Sequence, residues 1–279
     1  MPELLAKPAR PWALRLLPPF PAVAQRVLSL VDTDNAAANQ ISDCIRLDPT
    51  FTAEILRVAN SALFGAVREI STVKHAVNLL GLNRVKAMAT LIAVNAMVKP
   101  AMRVEALRKV WVHSLVTAIL TEESARISKS AVEGAHTAGL LHNLGVLGLM
   151  SAYPEEYARM IDVSTEYGFD LLRTERDLFE IDHCAAGACL AEKWNFPQPI
   201  VAAIASHHEE PRQSSSLAGL VQICWRMADA LGFGAFPMEK PYTYEGLVAL
   251  IPNQTTSWLT LGPNVAEGEI TSRLSNLRL

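Results

Sequence analysis

The chain has 279 residues, half of them hydrophobic but only 6% aromatic, with 28 acidic and 25 basic side chains. Its length suits one large domain or two closely packed ones, and the Ala, Leu and Val content favours packed helices over sheets. A formal charge of -3 excludes a general attraction to nucleic acid or to an anionic membrane, which both need basic patches.

The opening, with Pro2, Pro8, Pro11 and the run Pro18-Pro19-Phe20-Pro21, lacks the apolar region and small-residue cleavage site of a signal peptide. After it, Val23, Val27, Leu28 and Val31 recur at helical spacing, and Asp32-Thr33-Asp34-Asn35 stops that helix and caps the next. Ile41, Cys44 and Ile45 form the apolar face of a second helix. Asp48-Pro49 then caps and opens a third, from about Thr50 to Ala59. Asn60-Ser61-Ala62-Leu63-Phe64-Gly65 is expected to turn the chain, with Ser61 a capping hydroxyl and no nucleophile. From Ser71, Val73, Ala76, Val77 and Leu80 make a fourth helix with Gly81 as a left-handed C-cap, and Asn83 opens a fifth through Met97. The apolar stretch Ala87 to Val98 is broken by Asn95 and is too short to cross a bilayer. Pro100 ends it and marks a subdomain boundary.

The second half reads as helix after helix: Leu107 to Ile127, Val132 to Met150, Glu155 to Tyr167, Leu171 to Glu180, His183 to Trp194, Pro199 to His207 and Ser216 to Leu231. From Pro252 one or two short helices are expected. Cys44, Cys184, Cys189 and Cys224 contain no C-x-x-C pair and are expected to be reduced, mostly buried thiols of a cytoplasmic protein; thiolate metal ligation, the alternative, usually brings paired cysteines. Trp111 and Trp194 read as core anchors, His75 as ordinary helix, and Lys74, Arg84 and Lys86 as a solvated face.

In order and at this spacing, Leu17-Pro18-Pro19-Phe20-Pro21, Ile45-Arg46-Leu47-Asp48-Pro49, Ile55-Leu56-Arg57-Val58-Ala59-Asn60-Ser61 and Ala76-Val77-Asn78-Leu79-Leu80-Gly81 resemble the HDOD family, the HD-related output domain of bacterial signalling proteins. The resemblance continues through Leu140-Leu141-His142-Asn143-Leu144-Gly145, His183-Cys184-Ala185-Ala186-Gly187, Ala191-Glu192-Lys193-Trp194-Asn195-Phe196-Pro197 and Ala203-Ile204-Ala205-Ser206-His207-His208. It covers about residues 16 to 232. It implies an all-α fold in which an N-terminal helical bundle packs on a C-terminal HD-like bundle. The expected divisions are an extension over 1–15, subdomains over 16–100 and 101–232, and a helical tail over 233–279.

Active HD relatives are metal-dependent phosphohydrolases and phosphodiesterases whose metal set is a lone histidine, a His-Asp pair, further histidines and a late aspartate. Carried over, His113 is the lone histidine, His142 and Asn143 occupy the pair, His183, His207 and His208 are the additional ligands, and Asp229 is the closing carboxylate. Imidazoles with a carboxylate suit iron, manganese, zinc, cobalt or nickel. Asn143 is the departure: a carboxamide offers one neutral oxygen and an NH₂ group that repels a cation, so it cannot bridge two dications as a carboxylate does. A single ion is left, at His183, His207 and His208 with or without Asp229, or at His113, His142 and Asp229; the alternative is a site without metal whose buried imidazoles are satisfied by water and neighbours.

Val146 stands three residues beyond the pair, where active relatives carry a phosphate-binding lysine. Glu210-Pro211-Arg212-Gln213 follows His207-His208-Glu209, so the Gly-Tyr-Pro element of the HD-GYP cyclic dinucleotide phosphodiesterases is absent. The resemblance with these departures implies a bacterial signal-transduction module that binds a signalling protein or a nucleotide without turnover. A metal-dependent phosphohydrolase that tolerates Asn143 is the alternative.

Overall fold

The computed structural model describes residues 11–17, 22–31, 38–60, 70–98, 105–129, 134–194, 196–236 and 241–276. The run Pro18-Pro19-Phe20-Pro21, the stop at Asp32 to Asn35, Ser61 with the turn after it, and the boundary at Pro100 lie outside them. The described residues form helices joined by turns and loops, with no strand among them. Contacts divide the chain into two compact units, Pro19–Lys99 and Met1–Pro18 with Pro100–Leu279.

In the unit Pro19–Lys99, α1 (Ala22–Val31), α2 (Ala38–Ile45), α3 (Pro49–Ala59), α4 (Val73–Leu80) and α5 (Leu82–Val98) follow the apolar spacing. Asp48 caps α3 by accepting from the Phe51 N–H at 3.0 Å, and Pro49 fills the first position, where no N–H is needed. α1 lies against α2 and α5, and α4 against α2 and α3. Ile41, Ile45, Phe51, Ile55, Val77 and Val85 fill the space between them. Asn60 fastens the end of α3 to the chain before α4: its amide donates to the Leu56 and Ile70 carbonyls and its Oδ1 accepts from the Ile70 N–H at 2.7 Å. Gly81 closes α4 at φ 77° and ψ 159°, which is open to glycine but is not the left-handed helical cap expected from sequence.

The second unit begins with a 3-10 turn, Trp12–Arg15, whose Trp12 ring meets Tyr153 and Phe179 at 5.0 and 5.8 Å. It continues with α6 (Glu105–Ile127), α7 (Ala135–Leu141), α8 (Leu144–Ala152), α9 (Pro154–Tyr167), α10 (Leu171–Phe179), α11 (His183–Lys193), α12 (Gln198–Ser206) and α13 (Leu217–Ala228). A π-type turn, Asp229–Phe233, α14 (Tyr244–Val248), a 3-10 turn, Trp258–Thr260, and α15 (Pro263–Asn276) complete it. α6 packs on α7 and α13, α11 on α8 and α12, and α12 on α13. Trp111 and Trp194 are buried core residues and His75 is exposed.

One expected helix is two. The pattern read as a single helix from Val132 to Met150 breaks at His142-Asn143, between α7 and α8. Apolar residues continue across the break, so periodicity alone does not reveal it. The reason is the approach of α8 to α11: a Cβ on Gly145 would stand 1.8 Å from the His183 carbonyl oxygen, and one on Gly187 2.9 Å from the Gly145 nitrogen. Only glycine lets the two backbones meet so closely, and that contact carries the His142-Asn143 corner to the first turn of α11.

Candidate metal centre

Five places in the fold deliver the candidate side chains: His113 from the middle of α6, His142 and Asn143 from the corner between α7 and α8, His183 from the first turn of α11, His207 and His208 from just past the end of α12, and Asp229 from the start of the π-type turn that follows α13. His113, His142, Asn143, His183 and His207 are all at most 3% exposed. Helices facing one another thus bring residues far apart in sequence into one interior, as helix bundles do for metal and cofactor sites.

The arrangement has two parts. In the first, three imidazole nitrogens converge: His183 Nε2 stands 3.2 Å from His207 Nε2 and 3.1 Å from His208 Nε2. The far nitrogens of two of them are committed. His207 Nδ1–H donates to the Ile204 carbonyl at 2.7 Å, and His183 Nδ1–H donates to Glu175 at 2.8 and 2.9 Å. Their Nε2 lone pairs therefore face each other, an arrangement that repels unless a proton or a metal ion lies between them.

Two nitrogens each about 2.1 Å from one ion stand about 3.0–3.4 Å apart at ordinary coordination angles. The spacing therefore fits a single divalent transition metal. Cys184 lies beside the group, and the ligating atoms of His183, Cys184, His207 and His208 all fall within 4.8 Å of one another.

Glu175, which the sequence reading passed over, organises this part. It is fully buried on α10 and accepts from the His183 backbone N–H at 2.8 Å, from His183 Nδ1–H and from the Tyr157 hydroxyl. A carboxylate behind a ligating imidazole fixes its tautomer and raises its basicity. A signal was available, because Leu171, Glu175 and Phe179 fall four apart on one stripe of α10, a charge in the row of the buried Phe179.

The second part carries the departure. His113 Nε2 faces two acceptors, Asp229 Oδ1 at 3.0 Å and the Trp225 carbonyl at 3.3 Å, so it must carry a hydrogen. His113 Nδ1 is then the acceptor, and the Asn143 amide donates to it at 3.4 Å. With no ion between His113 and Asp229, the Asn143 amide favours the tautomer whose hydrogen sits on Nε2. His142 differs: its Nδ1–H donates to the Gly139 carbonyl at 2.7 Å, while its buried Nε2 has no hydrogen-bond partner among the described residues.

A cavity of about 370 Å³ opens beside both parts, lined by His113, Asn143, His207, His208, Asp229 and Phe169 among others. That volume lies within the range of small-molecule sites. The four cysteines are free thiols, with Cys44, Cys184 and Cys224 buried. No helix of the described residues is long and apolar enough to cross a membrane.

The family model described as HDOD domain matches residues 17–210. The chain belongs to the HDOD domain family. An HDOD domain protein of unknown function from Geobacter sulfurreducens shares this HDOD fold at 21% identity, with a TM-score of 0.69 over 94% of this chain and 91% of that one. A provisionally named phosphohydrolase from Shewanella amazonensis SB2B is similar at 25% identity, with a TM-score of 0.67 over 94% and 98% of the two chains. An uncharacterized protein of Treponema pallidum is 22% identical over 207 residues, 74% of this HDOD chain, which spans only 40% of that relative's length.

Electrostatics divides the imidazoles of this HDOD domain in a way that acid should reveal. Burial, then the neighbouring histidines, holds His142 and His207 well below the ordinary 6.5, and burial with His183 and Arg226 pushes His208 down to about 2. For His183 burial works against the charged form, yet the Glu175 carboxylate and the other groups beside it outweigh burial and raise it well above 6.5. Below about pH 6.5 the unfolded chain takes up protons that folded His142, His207 and His208 refuse, so their effect is a loss of stability as pH falls. The His183 contribution is fully present below 6.5 and lost as pH rises through its folded value, so between pH 7 and 5 it offsets only a small part of that loss. Chelator-treated protein is expected to lose about 1–2 kcal/mol per depressed imidazole between pH 7 and 5, and His207→Gln to lose less; urea unfolding at both pH values measures it.

Proposed function

We propose that this HDOD domain is a regulatory module that holds one transition-metal ion at His183, His207 and His208 and binds a signalling protein or a small ligand such as a nucleotide without turning it over. The observation that carries this reading is the hydrogen bond from Asn143 to His113 Nδ1, with His113 Nε2–H given to Asp229. It supports a closed second position and therefore no two-metal hydrolytic centre. The ion would supply a fixed positive charge at the cavity wall. Around it, Glu175 offsets that charge through His183, and Asp229 and His113 satisfy each other. Val146, fully buried in α8, offers no cation for a phosphate.

The reading predicts one ion per chain by elemental analysis after reconstitution with manganese, iron, cobalt, nickel or zinc, and loss of that ion in His183→Ala and His207→Ala. It also predicts no hydrolysis of bis(p-nitrophenyl) phosphate with any of those metals. The provisional name of the Shewanella neighbour favours a second reading, metal-dependent phosphohydrolysis. Turnover that disappears in His207→Ala would establish that reading and overturn the first.

A further inference from the structure

We infer that Arg226 is a positioning residue for the metal ligands, gripping the His207-His208 turn by its carbonyls and so aiming both imidazoles at His183. The inference rests on the reading that His183, His207 and His208 hold one ion. α12 ends at Ser206, whose carbonyl accepts from the Glu209 N–H at 3.0 Å, and the His207 and His208 carbonyls beyond it lie outside the helical ladder. α13 supplies donors from its side chains. Gln222 Nε2 donates to the Ser206 carbonyl at 3.0 Å, and Trp225 Nε1–H donates to that of His207. Arg226 gives the widest grip: Nη1 donates to the His207 carbonyl at 3.3 Å and the Gln222 carbonyl at 2.9 Å, and Nη2 donates to the His208 carbonyl at 3.0 Å.

The guanidinium is itself held. Arg226 is 6% exposed, and its guanidinium carbon lies 4.6 Å from the Trp225 ring centroid and 5.3 Å from that of Tyr242. Trp225 in turn lies against the His208 ring, with centroids 4.9 Å apart. A planar fork that reaches three carbonyls while stacked between rings is a geometry lysine cannot reproduce.

Charge and position predict opposite signs here. A buried guanidinium beside a dication repels it, so if charge were the whole of its effect, removing Arg226 would tighten metal binding. If Arg226 orients the ligands, removing it loosens binding, and Arg226→Lys loosens it as well although the charge stays.

The test is cobalt(II) affinity by chelator competition on the full chain, with the visible cobalt spectrum recorded for each protein. Arg226→Met and Arg226→Lys are both expected to bind cobalt about 10- to 100-fold more weakly, the usual span for removing a support of a metal ligand, with altered spectra. Ser257→Ala, which removes a buried hydrogen bond to Glu123, is the control for general destabilisation and is expected to keep the wild-type affinity and spectrum. Unchanged or tighter binding by both Arg226 variants would overturn the inference alone, as would an equal loss in Ser257→Ala. A wild-type protein that binds no cobalt would remove the metal reading and the inference together.

Discussion

Replacing Glu175 with alanine is expected to destabilise the fold by about 3–5 kcal/mol, the range for breaking a buried charged network by removing one partner. Metal affinity should fall by about 10- to 100-fold as well. The carboxylate is fully buried and accepts from three donors: the His183 backbone N–H, His183 Nδ1–H and the Tyr157 hydroxyl. Alanine strands all three in an interior that water does not reach, and each stranded donor carries its own desolvation cost. Removing the negative charge also withdraws what favours positive charge on His183 or on an ion next to it. Glu175→Gln separates the effects, because it nearly preserves volume while removing the charge and placing an NH₂ group among donors. Urea unfolding and cobalt(II) competition on the three proteins check it. A Glu175→Ala protein within about 1 kcal/mol of wild type would show that the site does not depend on this carboxylate.

Asn143→Asp should raise the metal content from the one ion per chain proposed above to two. In the wild type the amide donates to His113 Nδ1 and leaves the hydrogen on Nε2. A carboxylate at that position would need Nδ1–H as its donor, which moves the imidazole hydrogen and frees the Nε2 lone pair beside Asp229 and His142. Without metal the same variant buries a second carboxylate beside the His113 imidazole that Asp229 already meets, at a position only 3% exposed. Its metal-free form is therefore expected to lose about 2–4 kcal/mol relative to wild type, and added metal to recover most of it. Elemental analysis, together with unfolding with and without chelator, reads both effects. A variant that still binds one ion and is as stable as wild type without metal would refute the account of His113 tautomer selection.

The helical fold was legible because its signals are local. Asp48-Pro49 at the start of α3, Ser216 before α13 and the apolar spacing within most helices each depend on a few neighbouring residues, and the helices lie within a few positions of where those signals put them. The break at His142-Asn143 was not legible. It follows from the contact of Gly145 with the His183 backbone, 38 residues further along the chain, and no pattern within α7 or α8 reports that distance. Arg226 was missed for a related reason, and so were the partners of Glu175, although the place of Glu175 in the Leu171 and Phe179 stripe of α10 was visible. A charged residue in an amphipathic helix is ordinarily solvated, and only the partners that other helices bring to it make these two buried.

The sequence by itself determined the helical class, the family and the identity of the polar residues around the interior: His113, His142, His183, His207, His208, Asp229 and the amide at Asn143. Residue type and short-range spacing are properties of the chain, and they survive without knowledge of any long-range contact. The tertiary structure alone decided how those residues divide. It places the Nε2 atoms of His207 and His208 3.2 and 3.1 Å from that of His183 and puts His113 between Asn143 and Asp229. Whether an imidazole presents a lone pair or a hydrogen depends on what its other nitrogen meets, and those partners come from helices up to about a hundred residues away.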